Sequence, residues 1–350
     1  MKIAFLINNI QTEESGYATV KLALTAAKRG HKVWFIGVDD LAYYMKEKKE
    51  MFAKACTAKV KKKTSEEAYL SELKGVLKEK YEKISLEELD VLMLRNNPAE
   101  ESQNREWAKS IGIDFGRLLA RKGVIVLNSP TGLSYARDKM YLQNFPEKIR
   151  PKTVITKDKD EIKEFFKNSN KMILKPLAGS KGKNVFLINK NEAQNINQII
   201  DAVGSEGYII AQEYISEAED GDIRLLMMNG EPLQKDGKYA AFKRVRSEDD
   251  IRNNVSVGAK VKKAVITKEI LEIAEIVRPR LAQDGMFLVG LDVVGNKVLE
   301  VNVFSPGGLG NAEKMEGVDF SIPIVDAIER KVGYMKCYNK KINSHHLATI

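Results

Sequence analysis

Asp292, Glu300 and Asn302 are the residues of this chain whose types and spacing most directly suggest chemistry. They lie in GLDVVGNKVLEVNVF, two stretches rich in β-branched residues that are split by Gly295-Asn296, a pattern that predicts a β-hairpin. Glu300 and Asn302 then share a face through strand alternation, and the hairpin pairing decides whether Asp292 joins them. Two carboxylates and an amide are hard oxygen donors that suit Mg²⁺ bound together with the phosphates of a nucleotide. The same pattern also fits an edge strand whose polar face meets water.

A second group of residues suits phosphate. The strand KMILKP ends at Lys175-Pro176, and the loop after it carries Gly179 and Gly182, which let backbone amides approach a ligand closely. Ser180, Lys181 and Lys183 add polar contacts, and Lys139 and Lys175 are compact point charges of the kind used against nucleotide phosphates. The pattern G-x-x-x-x-G-K-[ST] is absent, so a plain hairpin turn competes with the phosphate-loop reading. Downstream, YIIAQEYI ends in Gln212, Glu213, Tyr214 and Ile215, a connection whose backbone suits an adenine edge. Arg224, Arg244 and Arg252 fall on successive segments of an expected antiparallel sheet, with Asp222 at the start of the first. Three arginines there either clamp a transferring phosphoryl group or face solvent.

The elements that must position these groups are legible from periodicity. KIAFLIN, a helix from Tyr17 to Gly30, and KVWFIGV form a βαβ unit, so the opening region is α/β with a parallel sheet. DVLMLRNNP predicts a strand whose carboxyl end presents Arg95 as an anion clamp, because ligand crevices lie at such ends. A helix over 103–122 and the strand VIVLN close this region near residue 130. Residues 46–88, dense in Lys and Glu, read as a solvated excursion without chemistry. An amphipathic helix over Ile270 to Gln283 leads into the carboxylate hairpin.

At 350 residues, 43% hydrophobic and 30% charged, the chain has material for two or three packed domains. No run reaches the roughly 18 apolar residues of a membrane helix, and MKIAFLINNI turns polar too soon for a secretory signal, so a cytoplasmic protein without a membrane partner is expected. Cys56 and Cys337 lack disulfide-framework or metal spacing. The net charge of +9 is spread along the chain without a nucleic-acid motif, which favours anionic small substrates over nucleic acid. His31, His345 and His346 read as surface or tail residues.

Lys139, LKPL with its glycine loop, AQEYI, DGDIR, KRVR, RNN, GLD and EVN occur in an order that resembles the ATP-grasp carboxylate-amine ligases, most closely the bacterial glutathione synthetase family. The resemblance covers roughly residues 1–330. It implies an α/β chain with the ATP-grasp fold: a Rossmann-like pre-ATP-grasp domain over 1–130, a lid subdomain over 131–210, and a subdomain with metal and substrate sites over 211–330. Residues 331–350 are left as a basic, partly ordered extension. The expected reaction is peptide-bond formation through an acyl phosphate, with γ-glutamylcysteine, glycine and ATP as small-molecule substrates. The alternatives are a related ligase for another amino acid or peptide pair, or a nucleotide-binding regulatory protein without turnover.

The same resemblance assigns roles. Lys139 and Lys175 match nucleotide-phosphate lysines, Gly179 to Asn184 the loop over the phosphates, Glu213 and Ile215 the adenine connection, and Asp222 a nucleotide-binding acid. Asp292, Glu300 and Asn302 match Mg²⁺ ligands, with Mn²⁺ as a substitute. Arg224 and Arg244 match arginines near the transferred phosphate and acyl substrate, and Arg95 a substrate contact. Glu13-Glu14-Ser15 stands where the family has Lys-Asp-Ser, and Ser305-Pro306-Gly307-Gly308 where it has Ser-Pro-Thr; Ser305, Asn302, Gly307 and Gly308 are candidate substrate contacts. A homo-oligomer, dimer or tetramer, is the implied assembly.

Overall fold

Four apolar runs build the first layer of the computed structural model, which describes residues 1–45, 50–76, 80–169, 171–179, 184–189, 195–205, 207–245 and 260–350. β1 (Lys2–Ile7), α1 (Ala18–Lys28) and β2 (Lys32–Gly37) form the expected βαβ unit, with Ile3 beside Val33 in parallel register. β3 (Leu41–Tyr43), β4 (Met51–Ala55), α2 (Glu66–Gly75) and β5 (Glu82–Ser85) follow, and the three strands pair antiparallel as a separate small sheet. β6 (Val91–Leu94), α3 (Ala108–Arg121), β7 (Ile125–Leu127) and α4 (Pro130–Tyr135) complete a parallel sheet of order β2-β1-β6-β7. Its strands are buried along their length, which is why they read as unbroken apolar runs.

The segment 46–88 corrects the expectation of a solvated excursion. Met51, Ala53, Ala55, Tyr69, Leu70, Leu73, Ile84 and Leu86 are buried in the core. Alternation explains the difference: in MFAKA every second side chain points inward while Lys54 faces water, and a composition average merges the two faces.

β8 (Thr153–Thr156), α5 (Lys159–Lys167), β9 (Lys171–Pro176), β10 (Phe186–Asn189), α6 (Ile196–Gly204) and β11 (Ile209–Glu213) form the second unit. Its antiparallel sheet runs β10-β9-β11-β8, and both helices pack on it through Ile162, Ile200 and Val203 against Met172, Leu174 and Ile188.

The third unit holds β12 (Asp222–Met228), the two-residue strands β13 (Glu231–Pro232), β14 (Gln234–Lys235) and β15 (Lys238–Tyr239), β16 (Ala241–Val245), β17 (Lys260–Lys263), α7 (Lys268–Gln283), β18 (Leu288–Val294) and β19 (Lys297–Asn302). Its main sheet has the order β17-β16-β12-β18-β19, antiparallel throughout. Val294 pairs with Lys297, so Gly295-Asn296 is the hairpin turn, with Gly295 at φ +53°.

α8 (Leu309–Glu316), α9 (Ser321–Cys337) and α10 (Ser344–Leu347) close the chain against the first unit. The expected partly ordered extension is instead packed: Leu347 and Ala348 are fully buried, and α9 runs straight through residue 330. The cause is the side chain of Lys331, fully buried within α9, whose ammonium donates to Asn229 Oδ1 and Leu347 O, both at 2.9 Å, and to Ile350 O. His345 and His31 are anchors rather than free surface rings. His345 bonds Ser129 Oγ at 2.7 Å and Gln283 O at 2.8 Å, and His31 bonds Glu329 at 2.6 Å.

Asn128, just past β7, joins the parallel sheet to the third unit. Its amide accepts from Leu288 N at 2.8 Å and donates to Leu288 O and Val303 O, both at 2.9 Å, inside the core. This one side chain pairs otherwise orphaned backbone groups at the roots of β18 and of the loop after β19. Asn128→Ala is expected to lower stability by about 2–4 kcal/mol, read from the urea midpoint at unchanged slope. A loss below about 1 kcal/mol would show that the two units do not depend on this joint.

Candidate active site

The centre of the site is a row of buried charges laid across neighbouring strands. Register places Arg224 on β12 opposite Asp292 on β18, and Asp222 on β12 opposite Arg244 on β16. Arg224 forks onto Asp292, with Nη2 to Oδ2 at 2.8 Å and Nε donating to Oδ1. Arg244 forks onto Asp222, with Nε to Oδ1 at 3.0 Å and Nη2 donating to Oδ2, and the same Nη2 lies 2.9 Å from Asp292 Oδ2. The four side chains are all largely buried.

Burial alone would raise Asp292, but Arg224 and Arg244 outweigh it and hold the carboxyl well below the usual carboxylate range. Burial pushes Asp222 upward, with Arg244 opposing and Asp292 reinforcing. Arg244 is stabilised as a cation: burial works against its charge, and the carboxylates of Asp292 and Asp222 outweigh burial. Local backbone chemistry protects the arrangement. Gly221 has φ +103°, and a Cβ there would lie 2.1 Å from the carbonyl oxygen of Arg244.

The hairpin brings the three expected metal ligands together. Asp292 pairs directly with Glu300, Gly290 with Asn302, and a register irregularity follows Asp292. Asn302 Nδ2 donates to Asp292 Oδ2 at 3.3 Å. Among the described residues no group of three or more His, Cys, Asp or Glu is placed to hold a metal. Mg²⁺ that draws its other ligands from phosphates and water needs only one or two carboxylates, so Asp292, Glu300 and Asn302 fit that mode and not an all-protein cage. On Asp292, Oδ2 is engaged by Arg224, Arg244 and Asn302, while among the described residues Oδ1 accepts only from Arg224 Nε and keeps one lone-pair site.

These residues line a cleft of about 1080 Å³ whose other walls carry the phosphate and adenine candidates Lys139, Lys175, Gly179, Gln212, Glu213, Tyr214 and Ile215. Lys175, near the end of β9, donates to Gln212 Oε1 at 3.0 Å. Burial pushes its pKa down to about 8, with Glu300 opposing and Lys139 adding to the fall. Lys139 Nζ donates to Gly179 O at 2.6 Å. Glu213 Oε1 accepts from Lys152 N at 2.7 Å. Asn184 adopts φ +57° and does not line the cleft. Ser180, Lys181, Gly182, Lys183 and Arg252 lie outside the described residues.

The first unit supplies the remaining wall. Arg95 follows β6 and is buried, its Nε donating to Thr19 Oγ1 and its Nη2 to Pro306 O, both at 3.1 Å. Arg224 Nη1 reaches Gly307 O at 3.4 Å. Two arginines from different units thus hold the carbonyls of one loop, and Ser305, Gly307 and Gly308 line the cleft beside them. Gly308 is required: at φ +102° a Cβ would sit 2.4 Å from the Phe242 ring.

Thr19 and the Pro306 carbonyl escaped sequence reasoning, because one is a helix residue and the other is backbone. Glu13 was visible only as a departure from a motif, yet it too faces the cleft. Chemically, the cleft offers cations for a phosphate chain, paired oxygens for a divalent ion, and two arginines held in fixed orientation where negative charge could develop. It presents no Ser-His-Asp arrangement among its lining residues.

Comparisons with known proteins identify the family. The model of the prokaryotic glutathione synthetase ATP-grasp domain matches residues 138–317, and that of the N-terminal domain matches residues 1–134. The chain is 32% identical over 335 residues to the glutathione synthetase of Gloeobacter violaceus, covering 93% of this chain and 96% of that one. Identity to the glutathione synthetase of Synechococcus elongatus is 31% over 340 residues, covering 95% and 99%. Among solved structures, the ATP-grasp ligase PsnB complexed with minimal precursor matches with a TM-score of 0.62 at 15% identity, over 93% of this chain and 98% of that one. D-cycloserine synthetase DcsG matches with a TM-score of 0.59 at 12% identity, over 93% and 99%. These structural likenesses show the ATP-grasp fold, and with both family models matched along the sequence, the chain belongs to the prokaryotic glutathione synthetase family.

Proposed function

We propose that this protein is an ATP-dependent, ADP-forming ligase that joins γ-glutamylcysteine to glycine, yielding glutathione, ADP and phosphate. Membership of the family supports the reaction. The observation that carries it on the structural side is Asp292 held by the fork of Arg224 and by Nη2 of Arg244 at 2.9 Å, in the same cleft as Lys139, Lys175 and Glu300. The substrates are small molecules, and a cytoplasmic setting and a homo-oligomer complete the reading. Among the described residues no helix is long and apolar enough to cross a membrane.

The chemistry needs no nucleophilic side chain. A carboxylate oxygen of the acyl donor attacks the γ-phosphorus of ATP and ADP leaves; the glycine amine then attacks the acyl carbon and phosphate leaves. Lys139 and Lys175 hold the phosphate chain, and the backbone from Glu213 to Ile215 faces the adenine. Asp292, Glu300 and Asn302 would hold Mg²⁺, which would neutralise charge on the phosphates. Arg244 and Arg224 stabilise the charge that spreads over the transferred group. Their orientation is prepaid by Asp292 and Asp222 before substrate arrives. Asp222 is better read as a positioning residue than as a nucleotide ligand, since both of its oxygens accept from Arg244.

The decisive assay is Mg²⁺-dependent ADP release with γ-glutamylcysteine and glycine, beside other dipeptide and amino-acid pairs, with products identified by mass. Release that requires both substrates and yields glutathione supports the reading. A different winning pair overturns the assignment of substrates while leaving the ligase chemistry.

Arg244→Lys keeps a cation but loses the fork onto Asp222. It is expected to lower kcat by ~10²–10³ with ATP affinity changed little, measured by single-turnover phosphoryl transfer and equilibrium binding. Unchanged kcat would take Arg244 out of the reaction. Lys175 must be protonated to pair with phosphate, and its pKa is lowered to about 8, so ATP affinity should weaken as pH rises through about 8. Lys175→Arg should carry that decline to higher pH. Affinity that is flat across this range in the unaltered protein would remove Lys175 from the phosphate contacts.

A further inference from the structure

Glu13 presents a buried acid with an unmet demand. It ends the 3-10 turn Ile10–Thr12 and is only 8% exposed. Neither of its carboxylate oxygens has a hydrogen-bond partner among the described residues; Oε2 is fully enclosed, and Oε1 is the oxygen open to the cleft. Buried carboxylates are ordinarily paired, so an unpartnered one in the wall of a ligand cleft points to a donor that arrives with the ligand and meets its cleft-facing oxygen. Glu13 lines the same 1080 Å³ cleft as Arg95, Thr19, Asn97 and the Pro306-Gly307 loop.

Arg95 is its electrostatic counterpart. Two of its nitrogens are engaged by Thr19 and Pro306, and Nη1 has no partner among the described residues. Burial lowers the Arg95 pKa to about 10, and Glu13 opposes that fall. Glu13 and Arg95 close no hydrogen bond with each other, the Arg95 bonds going to Thr19 and Pro306. An acid and a base held apart on one wall, each with a free position, match a ligand that carries an ammonium and a carboxylate on the same carbon.

We infer that Glu13 determines specificity for the acyl donor by accepting hydrogen bonds from a free α-ammonium group, while Arg95 binds the α-carboxylate beside it. This rests on the proposed ligase reading and narrows it: the donor must enter with an intact amino-acid head, as the glutamyl end of γ-glutamylcysteine provides, remote from the carboxylate that is activated. The electrostatics agree. Burial pushes Glu13 up to about 7; Arg95 on the turn after β6 and Lys74 on α2 oppose this, and Glu100 and Glu14 add to it. Tyr17 faces the same acidic group. An arriving ammonium would favour the ionised form, so capture of the donor should strengthen as pH rises through about 7.

The test compares γ-glutamylcysteine with glutarylcysteine, which lacks only the α-amino group, at saturating ATP, Mg²⁺ and glycine. The unaltered protein is expected to favour the amino form by about 10²-fold in kcat/KM. Glu13→Gln should reduce that ratio to within about threefold and flatten the pH profile below about 7, since kcat/KM reports groups of the free enzyme. Glu13→Asp, which keeps the charge on a shorter stem, should give an intermediate ratio and serves if the Gln variant does not fold. An undiminished ratio in the variants, or no discrimination by the unaltered protein, overturns the assignment of Glu13. Should the unaltered protein turn over no γ-glutamylcysteine, the ligase reading fails separately. Calorimetric binding of the two compounds to the unaltered protein and to Glu13→Gln then decides the Glu13 assignment, by the same loss of discrimination or its persistence.

Discussion

Asp292 is the constraint around which the site is arranged. It is a buried carboxylate whose neutralisation comes from arginines on two strands, β12 and β16, and its own strand β18 pairs with the strand that carries Glu300 and Asn302. Burying a charge without partners is prohibitively unfavourable, so the three strands are held in the one register that places Arg224 and Arg244 against it. A slip of one residue would turn each of these side chains to the opposite face of the sheet. The catalytic geometry and the fold of this sheet therefore share a single electrostatic solution. The arginines face the cleft already oriented, and little reorganisation remains when negative charge builds on a substrate.

Contacts between separate units hold the walls of the cleft in place. Asn128 ties the end of the parallel sheet to β18 and to the loop after β19. Tyr141 donates to Asp284 at 2.8 Å, and Arg280 on the same helix as Gln283 bonds that carboxylate at 2.8 Å. Arg95 and Arg224 also hold the Pro306 and Gly307 carbonyls, each from its own unit. The loop between β19 and α8 thus belongs structurally to both halves. Lys331 extends the same logic to the carboxyl-terminal segment: a fully buried ammonium satisfied by one side chain and two backbone oxygens. Burial lowers its pKa to about 7, with Arg330 adding to the effect, so the hydrogen bonds do much to hold it inside.

Where the sequence misled, the reason is physical in each case. The region 46–88 looked solvated because Lys and Glu dominate its composition, yet strand alternation hides Met51, Ala53 and Ala55 behind Lys54. The last twenty residues looked peripheral because they are basic and lie beyond the recognisable motifs. Their order comes from Lys331, Ser129 and Gln283, partners that no local pattern could announce. Motif order matched Asp222 to a nucleotide-binding acid, and it could not show the pairing with Arg244 that strand register gives it.

By itself the sequence determined the elements and much of the chemistry. The βαβ opening, the Gly295-Asn296 hairpin, the helix before it and the residue types at 175, 224, 244, 292, 300 and 302 follow from periodicity, turn propensity and motif order, all of which are local properties. Only the tertiary structure decided which side chains engage each other: Arg244 with Asp222 and Asp292 together, Arg95 with Thr19 and Pro306, and Glu13 with no hydrogen-bond partner for its Oε2 among the described residues. These pairings depend on strand register and on packing between units far apart in the chain, and a buried charge acquires its meaning from neighbours that sequence order does not contain.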